Sequence, residues 1–148
     1  MKKEFKILVL DDMAERRRFF RSCSIGFSFF EASNATEAIT LLNAHDFGQI
    51  FLDHDLSEEH YLEGYKDPDN PIGKYDNETG YAVAKWLAEN PESSQNAEIV
   101  VHTQNHWGGT RMLKLLYEAG REVRYIPYCD LVTKIKKRPD WQYPRKNN

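Results

Sequence analysis

The chain has 148 residues, 41% of them hydrophobic and 29% charged, with a formal net charge of −3. That length builds one domain with a real core, and the composition belongs to a globular protein rather than a disordered one. A charge so near neutrality argues neither for a general polyanion binder nor for a strongly acidic one, and no stretch has the apolar length that a bilayer span needs. The apolar run that follows the first lysines stops at Asp11 and Asp12, too short for a signal peptide. Cys23 and Cys129 fit no paired or metal-ligand spacing, so they read as free thiols in a cytoplasmic protein.

In chain order, residues 6–10 form a continuous apolar run typical of a strand buried on both faces. Residues 13–22 carry Met13, Ala14, Arg17 and Phe20 at helical spacing. A second strand is predicted over 27–31, and Ser33 or Asn34 is placed to cap a helix over 35–43. The third strand is 49–52. A helix over 80–89 has Val83, Trp86 and Leu87 on one face and stops at Asn90-Pro91. There follow a strand over 98–101, a helix over 110–119 closed by Gly120, a strand over 123–126 and a last helix over 130–137. Such alternation predicts a single α/β domain over 1–148, a doubly wound parallel sheet with helices on both faces.

Two segments break the rhythm. Residues 57–79 are rich in Asp, Glu and Tyr with weak periodicity. They read as an inserted loop, either a lid or specificity loop over the site or a tolerated surface insertion. A basic tail occupies about 137–148, and the stretch 134–146 mixes six basic residues with Trp141 and Tyr143. That mixture suits phosphate contacts and base stacking, or a solvated terminus; Arg16-Arg17-Arg18 with Arg21 carries the same two readings.

Three strands change polarity abruptly at their carboxyl ends: KILVLDD at 6–12, FLDHDL at 51–56 and VVHTQNH at 100–106. In an open parallel sheet the crevice beyond those ends is where sites are built. Asp11, Asp12, Asp53, His54, Asp55, His102 and Thr103 are therefore expected in one place. A core does not explain three such switches at equivalent points.

These residues resemble the receiver domains of two-component response regulators. Asp11-Asp12 looks like the family's metal-binding acidic pair, Asp53 its phospho-acceptor and Thr103 its switch hydroxyl. The resemblance implies a flavodoxin-like sheet of five strands in the order 2-1-3-4-5. It also exposes a departure, since receivers carry a lysine before a proline after strand five and this chain reads Ile126-Pro127. FLDHDL, the helix GYAVAKWL at 80–87, and His102-Thr103-Gln104-Asn105 followed by Gly108 and Met112 are similar to a narrower family, the cyclic-phosphate-processing receiver domains. That likeness implies phosphoesterase chemistry on 2′,3′-cyclic phosphates, including RNA ends.

Opening a cyclic phosphate needs a base for water and an acid for the leaving sugar oxygen, and histidine, which titrates near neutrality, suits both. His54, between Asp53 and Asp55, is the candidate acid; His102, with fewer acidic neighbours in sequence, is the candidate base. Thr103, Asn105 and the amides near Gly108 are candidates to cradle phosphate oxygens, with Lys85 or Arg111 supplying charge. So many carboxylates would repel a phosphate unless a cation intervened. Asp11, Asp12, Asp53 and Asp55 are thus candidate ligands for a divalent ion, Mg²⁺ or Mn²⁺. His60 and His106 are expected at the surface, and His45 is expected to be structural at a helix end, favoured by the dipole. The rival reading is an atypical receiver serving as a signalling or protein-binding module.

Overall fold

The computed structural model describes residues 4–60 and 75–137. Most of the 57–79 insertion and the basic tail lie outside the described residues. The elements are β1 (Lys6–Leu10), α1 (Ala14–Cys23), β2 (Ser28–Ala32), α2 (Ala35–Ala44) and β3 (Gln49–Leu52). They continue with α3 (Gly80–Glu89), β4 (Glu98–Val101), α4 (His106–Glu118), β5 (Glu122–Tyr125) and α5 (Tyr128–Lys137). All strand pairs are parallel, in the order β2-β1-β3-β4-β5.

The two faces of the sheet follow from strand alternation. Leu8, Leu10, Ile50, Leu52, Ile99 and Val101 point to one face and pack with Leu42, Val83, Leu87, Met112 and Leu116 of α2, α3 and α4. Ile7, Val9, Phe51 and Val100 point to the other and pack with Phe20 of α1 and Leu131 of α5. Past the Ile7–Gln49–Glu98 level the central strands are apolar at every paired position, because both faces are covered, as a parallel sheet requires.

Register then fixes the site. Leu10 pairs with Leu52, and Leu52 with Val101, so the three central strands end level. The ladder continues one residue further: the Asp53 amide donates to the Leu10 carbonyl at 3.0 Å and the His102 amide to the Leu52 carbonyl at 2.9 Å. Asp11 donates likewise to Ala32 and Ile126 to Val101. Asp11, Asp53, His102 and Ile126 thus stand in one row along the carboxyl edge.

Local signals account for the helices. Asn34 caps α2, its side chain accepting from the Glu37 amide at 2.9 Å. Helix α4 starts a turn earlier than the sequence predicts, because the Asn105 side chain accepts from the Gly108 amide at 3.0 Å. Two glycines made that turn read as loop. His60 is buried rather than exposed, its Nδ1 accepting from the Leu56 amide. His45 lies 3.0 Å from Lys6 Nζ through Nδ1 and packs on Phe30 and Phe47. An ammonium can only donate, so in this contact Nδ1 is the acceptor, and the ring serves as a packed structural group. Both cysteines are free thiols, Cys129 exposed. Among the described residues no helix is long and apolar enough to cross a membrane.

Gly80 is where the fold meets the site. Its amide donates to the His54 carbonyl at 2.8 Å, and a Cβ there would overlap the Asp53 carbonyl oxygen. Backbone cannot yield as a side-chain tip can. Gly80→Ala is expected to cost roughly 3 kcal/mol in a denaturant melt, the upper end for overpacking; an unchanged midpoint would contradict this close approach.

Candidate functional site

The polar strand ends divide into two groups. Asp11, Asp53 and His102 continue the parity of Val9, Phe51 and Val100 and lie toward α1 and α5. His102 Nε2 is 2.8 Å from Asp11 Oδ2, and its ring lies 5.1 Å from that of Phe20. Asp11 Oδ1 accepts from the Met13 amide at 2.9 Å, so this carboxylate also turns the chain into α1. Asp53 Oδ1 accepts from the His54 amide at 2.8 Å, while its Oδ2 is buried without a hydrogen-bond partner. One ligand atom from each of Asp11, Asp53 and His102 can be chosen so that all lie within 4.8 Å of one another.

All three side chains are essentially sealed from solvent. Burial raises the Asp53 pKa well above the carboxylate range, with the Asp11 and Asp55 charges adding to the rise and Arg16 and the His54 amide opposing it. Burial lowers the His102 pKa, outweighing the bond to Asp11, so the imidazole is held neutral. An unpaired buried carboxylate must be accompanied by a proton or a cation. Two carboxylates and a neutral imidazole fit a divalent ion, and the nitrogen donor favours Mn²⁺, Zn²⁺ or Fe²⁺ over Mg²⁺.

His54 belongs to the other group, toward α3 and α4. Its Nδ1 is 2.8 Å from Asp55 Oδ1, which also accepts from Asn105 Nδ2 at 3.3 Å. The Trp107 ring stands edge-on to the imidazole at 5.8 Å, and His54 Nε2 is buried with no partner. Gly108 makes room for this ring, since a Cβ there would overlap His54 Cγ. Thr103 Oγ1 accepts from the Asn105 amide at 3.1 Å, and the Thr103 carbonyl accepts from the Tyr125 hydroxyl at 3.0 Å.

The geometry redistributes several expected roles. Asp55 Oδ1 is engaged by His54, and the donors that converge among the described residues are Asp11, Asp53 and His102; Asp12 is half-buried. The Gly108 amide is spent on the Asn105 side chain, so Gly108 serves by its missing side chain rather than by cradling an anion. Lys85 is exposed on α3, and Arg111 makes a two-pronged ion pair with Asp76 at 2.8 Å and stacks on Tyr81 and Trp107. Ile126, the first residue past β5, is buried and apolar. Sequence reasoning offered Arg16 only within a basic run, for phosphate contacts or a solvated face; the structure brings it within 3.8 Å of Asp11 Oδ2. The signal was its place one turn after the acidic pair, hidden inside a run of three arginines.

A five-stranded parallel sheet in this order, with acidic and imidazole groups gathered at its carboxyl edge, defines a receiver-like α/β domain. Solved receivers agree at the level of fold. A CheY-like response regulator receiver from Methanospirillum hungatei JF-1 is 17% identical, covers 93% of this chain and 95% of its own, and gives a TM-score of 0.57. Vibrio cholerae chemotaxis protein CheY4 is 13% identical over 91% of this chain and 98% of its own, with a TM-score of 0.59. A Burkholderia pseudomallei response regulator, solved with a phosphorylated aspartic acid, calcium ion and citrate, is 16% identical over 93% and 75%, with a TM-score of 0.55. Among curated proteins none matches the sequence. The profile of the cyclic-phosphate processing receiver domain matches residues 6–118, and the chain belongs to that family.

The two buried groups act oppositely on stability. Asp53, with its pKa raised in the fold, contributes stability that is full at acid pH and lost as pH rises through the folded-state value. His102, with its pKa lowered, contributes stability that is present above about 6.5 and lost as pH falls through its folded-state value. Without metal, Asp53→Asn is expected to stabilise the protein at pH 8 by about 1 kcal/mol or more, by removing an unpaired buried charge. Added Mn²⁺ should then raise the Tm of wild type and not of the variant. A lower Tm for metal-free Asp53→Asn at pH 8 would show that Asp53 is already compensated.

Proposed function

We propose that the protein opens 2′,3′-cyclic phosphates, including those at RNA ends, by metal-assisted hydrolysis with His54 moving the proton. The observation that carries this reading is the buried His54–Asp55 pair, whose free Nε2 stands at the same sheet edge as the Asp11–Asp53–His102 cluster. In the reaction water adds to phosphorus and one ring P–O bond breaks. The sugar oxygen that leaves takes up a proton, and a phosphomonoester remains.

Asp55 accepts from Nδ1 and leaves the buried Nε2 without a partner, the arrangement of an orienting carboxylate behind a proton-transfer group. Trp107 and Gly108 confine the ring to that pose. His54, protonated on both nitrogens for this step, gives its Nε2 proton to the departing sugar oxygen, and the proton shed by the attacking water replaces it. Asp11, Asp53 and His102 would hold the divalent ion, Mn²⁺ or Mg²⁺, with the neutral His102 offering Nε2 once it no longer faces Asp11 alone. An ion held there supplies Lewis-acid charge and makes water a stronger acid near neutral pH. His102 accordingly passes from proton acceptor, its role by sequence, to metal holder. That the Burkholderia pseudomallei response regulator, which shares the fold, was solved with a phosphorylated aspartic acid and a calcium ion is in keeping with a cation and a phosphoryl group as partners here. Thr103, with Oγ1 beside the Asn105 amide, and Asn105, bound to Asp55, place the loop that faces the phosphate.

The test is turnover of 2′,3′-cyclic nucleotides and of cyclic-phosphate-ended RNA with added Mn²⁺ or Mg²⁺. His54→Ala should lower kcat about 10²–10⁴-fold, the usual worth of a positioned acid. The loss should shrink for a nitrophenyl diester, whose leaving group needs no proton. An equal loss on both substrates would remove the acid role, and no turnover by wild type with any metal would end the hydrolase reading.

A further inference from the structure

A phosphate arriving at this edge meets Asp11, Asp53 and Asp55, and the end of β5 offers it only Ile126. Helix α1 carries three arginines in succession, and the structure uses them differently. Arg17 is consumed: Nη1 donates to the Asp11 carbonyl at 2.7 Å and Nε to Glu31 at 3.1 Å. Arg18 is exposed, and Arg21 pairs with Glu31. Arg16 lies inward, its side chain 17% exposed, with Nη1 3.8 Å from Asp11 Oδ2. That separation is an ion-pair distance but exceeds a hydrogen bond, so Asp11 does not use up the guanidinium donors.

What positions Arg16 is an aromatic ring. Its guanidinium carbon lies 4.7 Å from the centroid of Tyr128, a stacking contact that suits arginine. Tyr128 is in turn pinned to the site, because its amide donates to the His102 carbonyl at 2.8 Å and its ring lies 6.3 Å from the imidazole. The guanidinium thus stands on the α1/α5 side, the side of Asp11, Asp53 and His102. The other cations weighed from sequence stand elsewhere, Arg111 against Asp76 and Lys85 in solvent.

Resting on the function proposed above and adding a residue to it, we propose that Arg16 is the phosphate-binding cation of the site, its planar fork donating to two phosphate oxygens while Tyr128 holds its face. The contact is of the two-pronged kind for which guanidinium surpasses ammonium. Arg16 enters from α1, at the opposite end of the row from β5.

The experiment is calorimetric titration of the full chain with inorganic phosphate at fixed ionic strength, with and without Mn²⁺, for wild type, Arg16→Gln, Arg16→Lys and the exposed control Arg18→Gln. Folding is checked by circular dichroism. Arg16→Gln should weaken phosphate binding tenfold or more, Arg16→Lys should recover part of it, and Arg18→Gln should stay within twofold of wild type. Mn²⁺ should bind Arg16→Gln at least as tightly as wild type, since a positive charge has left its vicinity; a merely structural arginine would weaken both ligands. If Arg16→Gln does not fold, Arg16→Lys decides: it keeps the charge and loses the fork, so full affinity overturns the proposal.

Unchanged phosphate affinity in Arg16→Gln, an equal loss in Arg18→Gln, or no phosphate binding by wild type would each overturn it. Phosphate bound through Arg16 by a chain that opens no cyclic phosphate would keep the anion site and remove the hydrolase. Turnover by wild type alongside an indifferent Arg16→Gln would do the reverse.

Discussion

Everything at the carboxyl edge depends on two backbone hydrogen bonds that carry the parallel ladder one residue past the apolar strands. The Asp53 amide reaches the Leu10 carbonyl and the His102 amide reaches the Leu52 carbonyl. Because these bonds lock the first polar residues into sheet register, their side chains inherit the alternation of the strands behind them. The chain has little freedom to place Asp11, Asp53 and His102 anywhere but side by side. A slip of one residue would turn each of them to the opposite face and expose the apolar positions that build the core.

The same alternation divides the chemistry. One parity brings two carboxylates and an imidazole together near α1 and α5, where Phe20 and Tyr128 exclude water. The next residue along β3 sends His54 toward α3 and α4, against Trp107 and the gap left by Gly108. Each histidine has one nitrogen on a carboxylate and the other buried without a partner. Selection for stability alone would replace such groups, since buried polar atoms left unpaired cost free energy. Groups left unpaired in this way are in keeping with the ligand centre proposed above, and the orphaned Asp53 oxygen is where a positive charge would be compensated.

Much of this was legible in the sequence, for identifiable reasons. The bounds of β3, α3 and β4 are those predicted, because unbroken apolar runs and a Pro91 stop leave little choice. The abrupt ends of the three central strands marked the edge at which the polar groups gather. What sequence could not supply was depth and parity. His102 has no acidic sequence neighbour yet lies 2.8 Å from Asp11, 91 residues away, while Asp55 turns to its neighbour His54. Gly108-Gly109 read as loop because glycine disfavours helix, but here His54, Thr103 and Tyr125 need the space. Arg16 was concealed because three consecutive arginines look alike until the fold gives each different neighbours, Glu31 for Arg17 and Asp11 with Tyr128 for Arg16.

The central claim is that Asp11, Asp53 and His102 form a cation site with one nitrogen donor, and pulsed electron paramagnetic resonance of the Mn²⁺-loaded protein tests it directly. The account predicts a single Mn²⁺ with nitrogen-14 coupling, lost in His102→Gln and kept in His54→Gln. Bound Mn²⁺ without nitrogen coupling, or coupling that disappears with His54 and survives the loss of His102, would contradict it.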